Sequence, residues 1–488
     1  MKINFERAEG TKVRLLPVLS GQPCEYMLPA GKQAEGAVTW YYRRKADEQD
    51  ALVIGMGEFA ALKLESVRRA GGRAARALLA EAQPLGELSA EAALAATGGK
   101  PEEAQGWVQA WIEGWLLGLY QYDKYRGKSR SGRTVALSIL PDKGGVLGLV
   151  QLEAAEAEAR LRAEAAMLTR DLVNDTPDGL HPASFVIGVE RHFAGLPVKL
   201  RVFQGEELVK RQMNGLLAVG AGSSHSPALI EIAYEGAPGE PLLALVGKGV
   251  TFDMGGMNVK TGRDISDARM DMGGAAAVAG AMDILARTQA KVNVTALLAV
   301  VDNLPGPGAM LPSSVVQYPN GLTVQVANTD GEGRLIIADA LLHAAALGAS
   351  KVIDIATLTG NVGAALGLGI AGIWGDEAMT RELVAIGERN GERLWPMPLM
   401  DEYEAELRSN YADLRNIGTG DLAGAITAAL FIRRFVDPSM DWVHIDMAGT
   451  VQYKSDAGYS EAGATGYGAR LLADYAVSCF VSKSEEKS

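Results

Sequence analysis

From residue 175 onward, short apolar runs alternate with alanine-rich helical stretches, and this alternation leaves few architectures open to the chain. Candidate strands are 198–203, 228–233, 242–246, 292–301, 323–327, 351–356 and 442–446, with helical patterns between many of them, notably 273–287 and 335–347. Strands separated by helices signal a largely parallel sheet covered on its faces. Several runs are apolar at nearly every position, as a sheet buried on both sides requires. The expected fold is α/β, with a mostly parallel central sheet flanked by helices in a larger C-terminal domain.

At 488 residues the chain exceeds one ordinary domain. Residues 1–150 mix strand-like runs (13–18, 51–54, 134–140) with two amphipathic stretches, 62–81 and 102–119. This reads as a smaller N-terminal α/β domain serving scaffolding or assembly. Tyr120, Tyr122 and Tyr125 form a local aromatic group suited to packing. The run LEAAEAEARLRAEAAMLTRDLV (152–173) is the strongest helix former in the chain, and Asn174-Asp-Thr-Pro-Asp-Gly stops it. It is read as a connecting helix over 151–174, with the catalytic domain at 175–488.

A net charge of −12 argues against phosphate-backbone binding, and Arg43, Arg44 and Lys45 make only a short basic cluster. The first ten residues are charged and lack the apolar stretch of a secretory signal, and no apolar run is long enough to span a membrane. Cys24 and Cys479, the two cysteines, lack metal-ligand spacing and read as free thiols in a reducing compartment. The cytoplasm is the expected location.

Chemistry-bearing residues gather where strands end. The run 242–246 leads into Gly247-Lys248-Gly249-Val-Thr-Phe-Asp253, followed by Lys260 and then Asp271 at the start of a helix. The run 323–327 leads into Asn328-Thr-Asp330-Gly-Glu332-Gly-Arg334-Leu. If these strands are parallel neighbours, their carboxyl ends bring Asp253, Asp271, Asp330 and Glu332 together. Ionised carboxylates crowded this way repel one another unless cations lie between them, and a pair of divalent ions resolves the conflict. A neutral Lys248 could ligate a metal and a charged Lys260 could stabilise an oxyanion. The plainer possibility, surface salt bridges, fits each residue alone but not the combined pattern at glycine-flanked strand ends. The five histidines (His181, His192, His225, His343, His444) show no HExxH spacing, so a histidine-built zinc site is disfavoured. Gly367, Gly369 and Gly372 satisfy GxGxxG, but no helix opens there, and dinucleotide binding is set aside.

GKGVTFDMGG (247–256), DMGGAAAV (271–278) and NTDGEGRL (328–335) resemble the leucyl aminopeptidase family, as do DIATLTG (354–360), YADLRNIG (411–418), HIDMAG (444–449) and GATG (463–466). The resemblance spans the second domain. It implies a cytosolic metallo-exopeptidase that releases N-terminal residues, with two exchangeable divalent ions, zinc, manganese or magnesium. One ion would be held by Lys248, Asp253, Asp271 and Glu332, and the other by Asp253, Asp330 and Glu332. Lys260 would stabilise the oxyanion as a metal-bridging hydroxide attacks, and Arg334 would hold a bicarbonate that assists proton transfer. Thr357, Leu358, Gly360 and Ala268 would line the substrate site, alanine standing where a methionine is usual. Other departures are Met254, Thr261-Gly-Arg263, Asp302-Asn-Leu-Pro and Pro312-Ser-Ser. The resemblance also implies a homohexamer acting on peptides with a free N-terminus. Some bacterial relatives bind DNA as regulators or recombination accessories, an alternative that the acidic balance disfavours.

Overall fold

The computed structural model describes residues 1–7, 10–43, 45, 48–128, 132, 134–262 and 264–485, with side chains to residue 480. Arg44 of the basic cluster and Arg263 lie outside these residues. The chain forms two compact units, one of residues Met1–Met167 with Tyr453–Gly463 and one of Leu168–Gln452 with Ala464–Ser488. The division falls within the helix Leu149–Asn174. That 453–463 groups with the first unit has no counterpart in the linear pattern.

The first unit holds strands β1 (Ile3–Asn4), β2 (Val13–Leu19), β3 (Val38–Tyr41), β4 (Asp50–Gly57), β5 (Leu85–Ser89) and β6 (Ala136–Leu140), in the sheet order β1-β6-β5-β2-β4-β3. All pairs are parallel except β3 with β4. Trp107, Trp111 and Trp115 recur every fourth residue on the helix Pro101–Gly118, so they fall on one helical face, and all three are buried in the core.

The second unit holds β7 (Lys199–Gln204), β8 (Ala228–Glu235), β9 (Leu243–Asp253), β10 (Asn293–Asn303), β11 (Val315–Gln317), β12 (Thr323–Gln325), β13 (Lys351–Ala356), β14 (Ala371–Gly375), β15 (Leu394–Pro396), β16 (Leu414–Arg415) and β17 (Asp441–Asp446). Its main sheet runs β15-β14-β17-β13-β9-β10-β8-β7. The centre, β17-β13-β9-β10, is parallel, while β7, β8 and β14 pair antiparallel nearer the edges. Helices cover both faces. Val246, Val250, Ala299 and Val352 pack on Leu335, Ile336 and Ala340 of the helix Gly333–Ala346. Alternate positions Gly247 and Ile355 face the helix Gly273–Arg287. From β9 the chain crosses to β10 on one side, whereas from β13 it crosses to β14, beyond β17, on the other. The carboxyl ends of β9 and β13 therefore flank a topological switch point, where open α/β sheets form their crevices.

The structure corrects two sequence expectations. The run at 323–327 does not join the main sheet. Its ordered part, β12, pairs with β11 and β16 in a separate small sheet, so β9 and β12 are not neighbours. Apolar alternation identifies a strand but not its partner. Lys248 is not in a loop after a strand, because β9 continues through the glycines to Asp253 and pairs Lys248 with Ala299. His343 is buried, with its Nε2 2.8 Å from Glu231 Oε2. The GxGxxG match is no strand-to-helix turn: Gly367 ends the helix Gly360–Leu366 and Gly372 lies within β14.

Behind the site, Asp339 is buried in the face of the helix Gly333–Ala346 that meets the apolar core. One carboxyl oxygen accepts from Leu216 N at 2.7 Å, and the other has no hydrogen-bond partner among the described residues. Burial pushes its pKa up to about 8, against the opposing pull of the Leu216 and Gly215 amides. The unfolded chain ionises this group near pH 4. Stability attached to the protonated form is thus complete at low pH and lost as pH rises through about 8. Asp339→Asn keeps the acceptor and removes the titration. Its melting temperature should rise relative to wild type across that window, and parallel melting curves from pH 4 to 8 would contradict the assignment.

Candidate active site

The site lies at the carboxyl ends of β9 and β13, in a cavity of about 630 Å³ that Lys248, Asp253, Lys260, Asp271, Asp330 and Glu332 help line. Three segments converge on it. Strand β9 carries Lys248 and ends on Asp253, after which the chain turns through Gly255. That residue has a φ of +88°, and a Cβ there would lie 2.4 Å from Asn258 O and 2.9 Å from Asp330 Oδ1, so only glycine fits. A short 3-10 turn, Ser266–Met270, presents Ala268 and leads into Asp271. The loop after β12 supplies Asp330 and Glu332, and Gly333 then opens a helix. A Cβ at Gly333 would come 2.6 Å from Lys248 Cε, so this glycine makes room for the lysine stem.

Two ammonium groups interleave the four carboxylates. Lys248 Nζ lies 2.8 Å from Asp271 Oδ2 and 2.9 Å from Glu332 Oε1, and donates to Thr357 O at 2.9 Å. Lys260 Nζ lies 2.7 Å from Asp253 Oδ2 and also contacts Asp330 Oδ1. Burial opposes the charge on both lysines, yet the flanking carboxylates raise both above the ordinary lysine value. Burial likewise lifts Asp271, Asp330 and Glu332 above the usual carboxylate range, with Asp253 adding repulsion to each and the lysines pulling the other way. With more carboxylates than ammonium groups, the cradle still calls for positive charge.

This donor set fits divalent cations. Asp253, Asp330 and Glu332 each offer an oxygen, and these atoms lie within 4.8 Å of one another. Asp271 shares the Lys248 ammonium with Glu332 of that trio. Hard oxygen ligands suit magnesium or manganese, and carboxylates with one nitrogen also serve zinc.

Arg334 is buried and donates from Nη1 to Asn416 O at 2.8 Å, while its Nε has no partner among the described residues. Burial pulls its pKa down to about 10, with Glu332, Asp446 and Asp330 resisting. A guanidinium with an idle donor in a dry setting suits a small planar anion.

Thr357, Leu358 and Gly360 line the same cavity, as do the small residues Ala268, Ala448 and Val451. Thr357 Oγ1 donates to Asp271 Oδ1 at 2.8 Å. The structure thus brings the candidate metal, catalytic and substrate-lining residues into one cavity, and three buried groups fasten them. Asn303, the last residue of β10, donates from Nδ2 to Asp253 Oδ1 at 2.9 Å and to Thr329 O at 3.0 Å. Asn416 ties down the loop after β12, accepting from Ala327 N at 2.8 Å and donating to Asn328 O at 2.6 Å and Gly331 O at 3.2 Å. Asp446, at the end of β17, accepts from Leu358 N and Thr359 N, both at 3.1 Å, and fixes the loop after β13. Their only sequence signal was membership of the DNLP, YADLRNIG and HIDMAG stretches.

Residues 167–473 match the cytosol aminopeptidase family, catalytic domain, and residues 29–129 match its N-terminal domain. A probable cytosol aminopeptidase of Syntrophotalea carbinolica is 39% identical over 430 residues, covering 87% of this chain and 84% of the relative. One from Geobacter sulfurreducens is 38% identical over 431 residues, with coverages of 87% and 84%. Among solved structures, the bottromycin maturation enzyme BotP in complex with Mn superposes with a TM-score of 0.85 at 30% identity, covering 96% of this chain and 99% of BotP.

Proposed function

The chain belongs to the cytosol aminopeptidase family and is a metal-dependent aminopeptidase, and we propose that it uses two divalent ions to release single residues from peptides with a free N-terminus. The observation that carries this reading is the convergence of Asp253, Asp330 and Glu332, with Asp271 and Lys248 alongside. Asp253, Asp271 and Glu332 would hold one ion, joined by Lys248 as the free amine left when the ion displaces its proton, and Asp253, Asp330 and Glu332 the other, manganese or zinc being the candidates. When bound, such a pair supplies Lewis acidity to the scissile carbonyl and lowers the pKa of water.

The chain's own residues do the rest. Asp271 would receive the free amine of the first residue, restricting cleavage to the end of the chain. Lys260 on the cavity wall would stabilise the developing oxyanion with its ammonium. Arg334 would hold a bicarbonate against its idle Nε. Ala268, Thr357, Leu358 and Gly360 would receive the first side chain. A homohexamer in the cytoplasm is part of the same reading.

The test is hydrolysis of leucine and methionine amides, free and N-acetylated, with manganese or zinc and after complete chelation. The free amides should be cleaved only with metal and the acetylated ones not at all. Turnover that survives chelation, or equal cleavage of acetylated amides, would reject this reading.

A further inference from the structure

Asn303 occupies an unusual position relative to the cradle. As the last residue of β10 it is paired with Asp253 on β9, beyond a register shift between Val301 and Asn303. Its carbonyl accepts from Met254 N at 3.0 Å and Gly256 N at 3.3 Å, which fixes its backbone against the turn following Asp253. Its side chain is 2% exposed, and Nδ2 faces three acceptors: Asp253 Oδ1 at 2.9 Å, Thr329 O at 3.0 Å and Glu332 Oε2 at 3.4 Å. Three acceptors around one group leave no choice of orientation, since only the amide nitrogen can serve them.

One neutral amide thus reaches both carboxylates assigned between the two ions, and it takes the oxygen of each that faces away from the lysines. Asp253 Oδ2 is left to Lys260 and Glu332 Oε1 to Lys248. It also links the end of β9 to the loop after β12, which no strand pairing joins. A charged donor there would compete with cations for the carboxylates, and an acid would add repulsion. An amide steers the oxygens without altering the charge.

We propose that Asn303 is a positioning residue that sets the spacing of Asp253 and Glu332 and thereby the affinity of both cation positions together. The inference rests on the two-ion reading above. Thr357 makes a useful contrast because its hydroxyl touches Asp271, which serves one position only.

The experiment is calorimetric titration of manganese into chelator-stripped full-length protein, with the melting temperature of each metal-free form recorded alongside. Wild type should bind two ions per chain. Asn303→Ala should weaken both binding events by roughly 10–100-fold, the usual cost of losing an outer hydrogen-bonding partner of a ligand. Thr357→Val should weaken only one. Asn303→Leu, which is close in size, loses the donors and adds no charge, should weaken both in the same way, and it serves if the alanine variant does not fold. A folded variant that binds both ions within about twofold of wild type overturns the proposal, as does weakening confined to one event. A wild type that binds no manganese overturns the two-ion reading itself.

Discussion

Asp253→Ala is expected to lower kcat/KM by roughly 10³-fold or more, since a paired metal site supplies several kcal/mol of transition-state stabilisation. The size of the effect follows from where the residue sits. Asp253 ends β9 and is buried, and its two oxygens are divided between Lys260 on one side and Gly255 N and Asn303 on the other. It is also one of the three carboxylates that approach within 4.8 Å of each other. Its loss would remove a ligand from both cation positions and leave Lys260 with Asp330 alone. Steady-state kinetics on leucine amide, with metal content measured on the same sample, check this. Near wild-type turnover would reject the ligand assignment.

Lys260→Met should behave differently, and the contrast separates holding ions from using them. Lys260 touches Asp253 and Asp330 and lines the cavity with them, but it is not among the groups that would hold an ion. Removing its charge relieves no ligand of its place, so manganese should still bind with wild-type stoichiometry. What disappears is the ammonium available to a developing oxyanion, and loss of one such donor costs roughly 10²–10³ in kcat. KM should change little, because the interaction grows in the transition state. A drop in KM-controlled binding with kcat intact, or a variant that loses its metal, would place Lys260 among the structural ion pairs instead.

Much of this site was legible in the sequence, for a physical reason. Charged residues at glycine-flanked strand ends are costly for folding, so Lys248, Asp253, Lys260, Asp271, Asp330, Glu332 and Arg334 stood out against apolar surroundings. What the pattern did not carry was pairing. The run 323–327 looked like one more strand of the main sheet, yet β12 joins a separate sheet, and its loop reaches the end of β9 through Asn303 and Thr329 while Asn416 braces the loop itself. These are single amides and a hydroxyl, with no spacing rule to betray them. Thr329 Oγ1 donating to Gly255 O at 2.6 Å is such a link, joining residues 74 positions apart. Long-range side-chain hydrogen bonds depend on a geometry that exists only once the sheet has formed.

The same distinction explains Lys248. Read linearly, Gly247-Lys248-Gly249 resembles a loop, because glycines flank it. In the fold those glycines lie in a strand against the helix Gly273–Arg287, and Lys248 points to the opposite face over Gly333. The lysine is therefore held by a strand rather than by a mobile segment. That rigidity suits a group whose neighbours must keep fixed distances.

Anomalous diffraction from manganese-loaded crystals shows whether Lys248, Asp253, Asp271, Asp330 and Glu332 hold a pair of ions. The account predicts two anomalous peaks among these five residues, about 3.5–4 Å apart as in other paired hydrolytic sites. A single peak, or manganese bound elsewhere with this cradle still closed by its lysines, would contradict it.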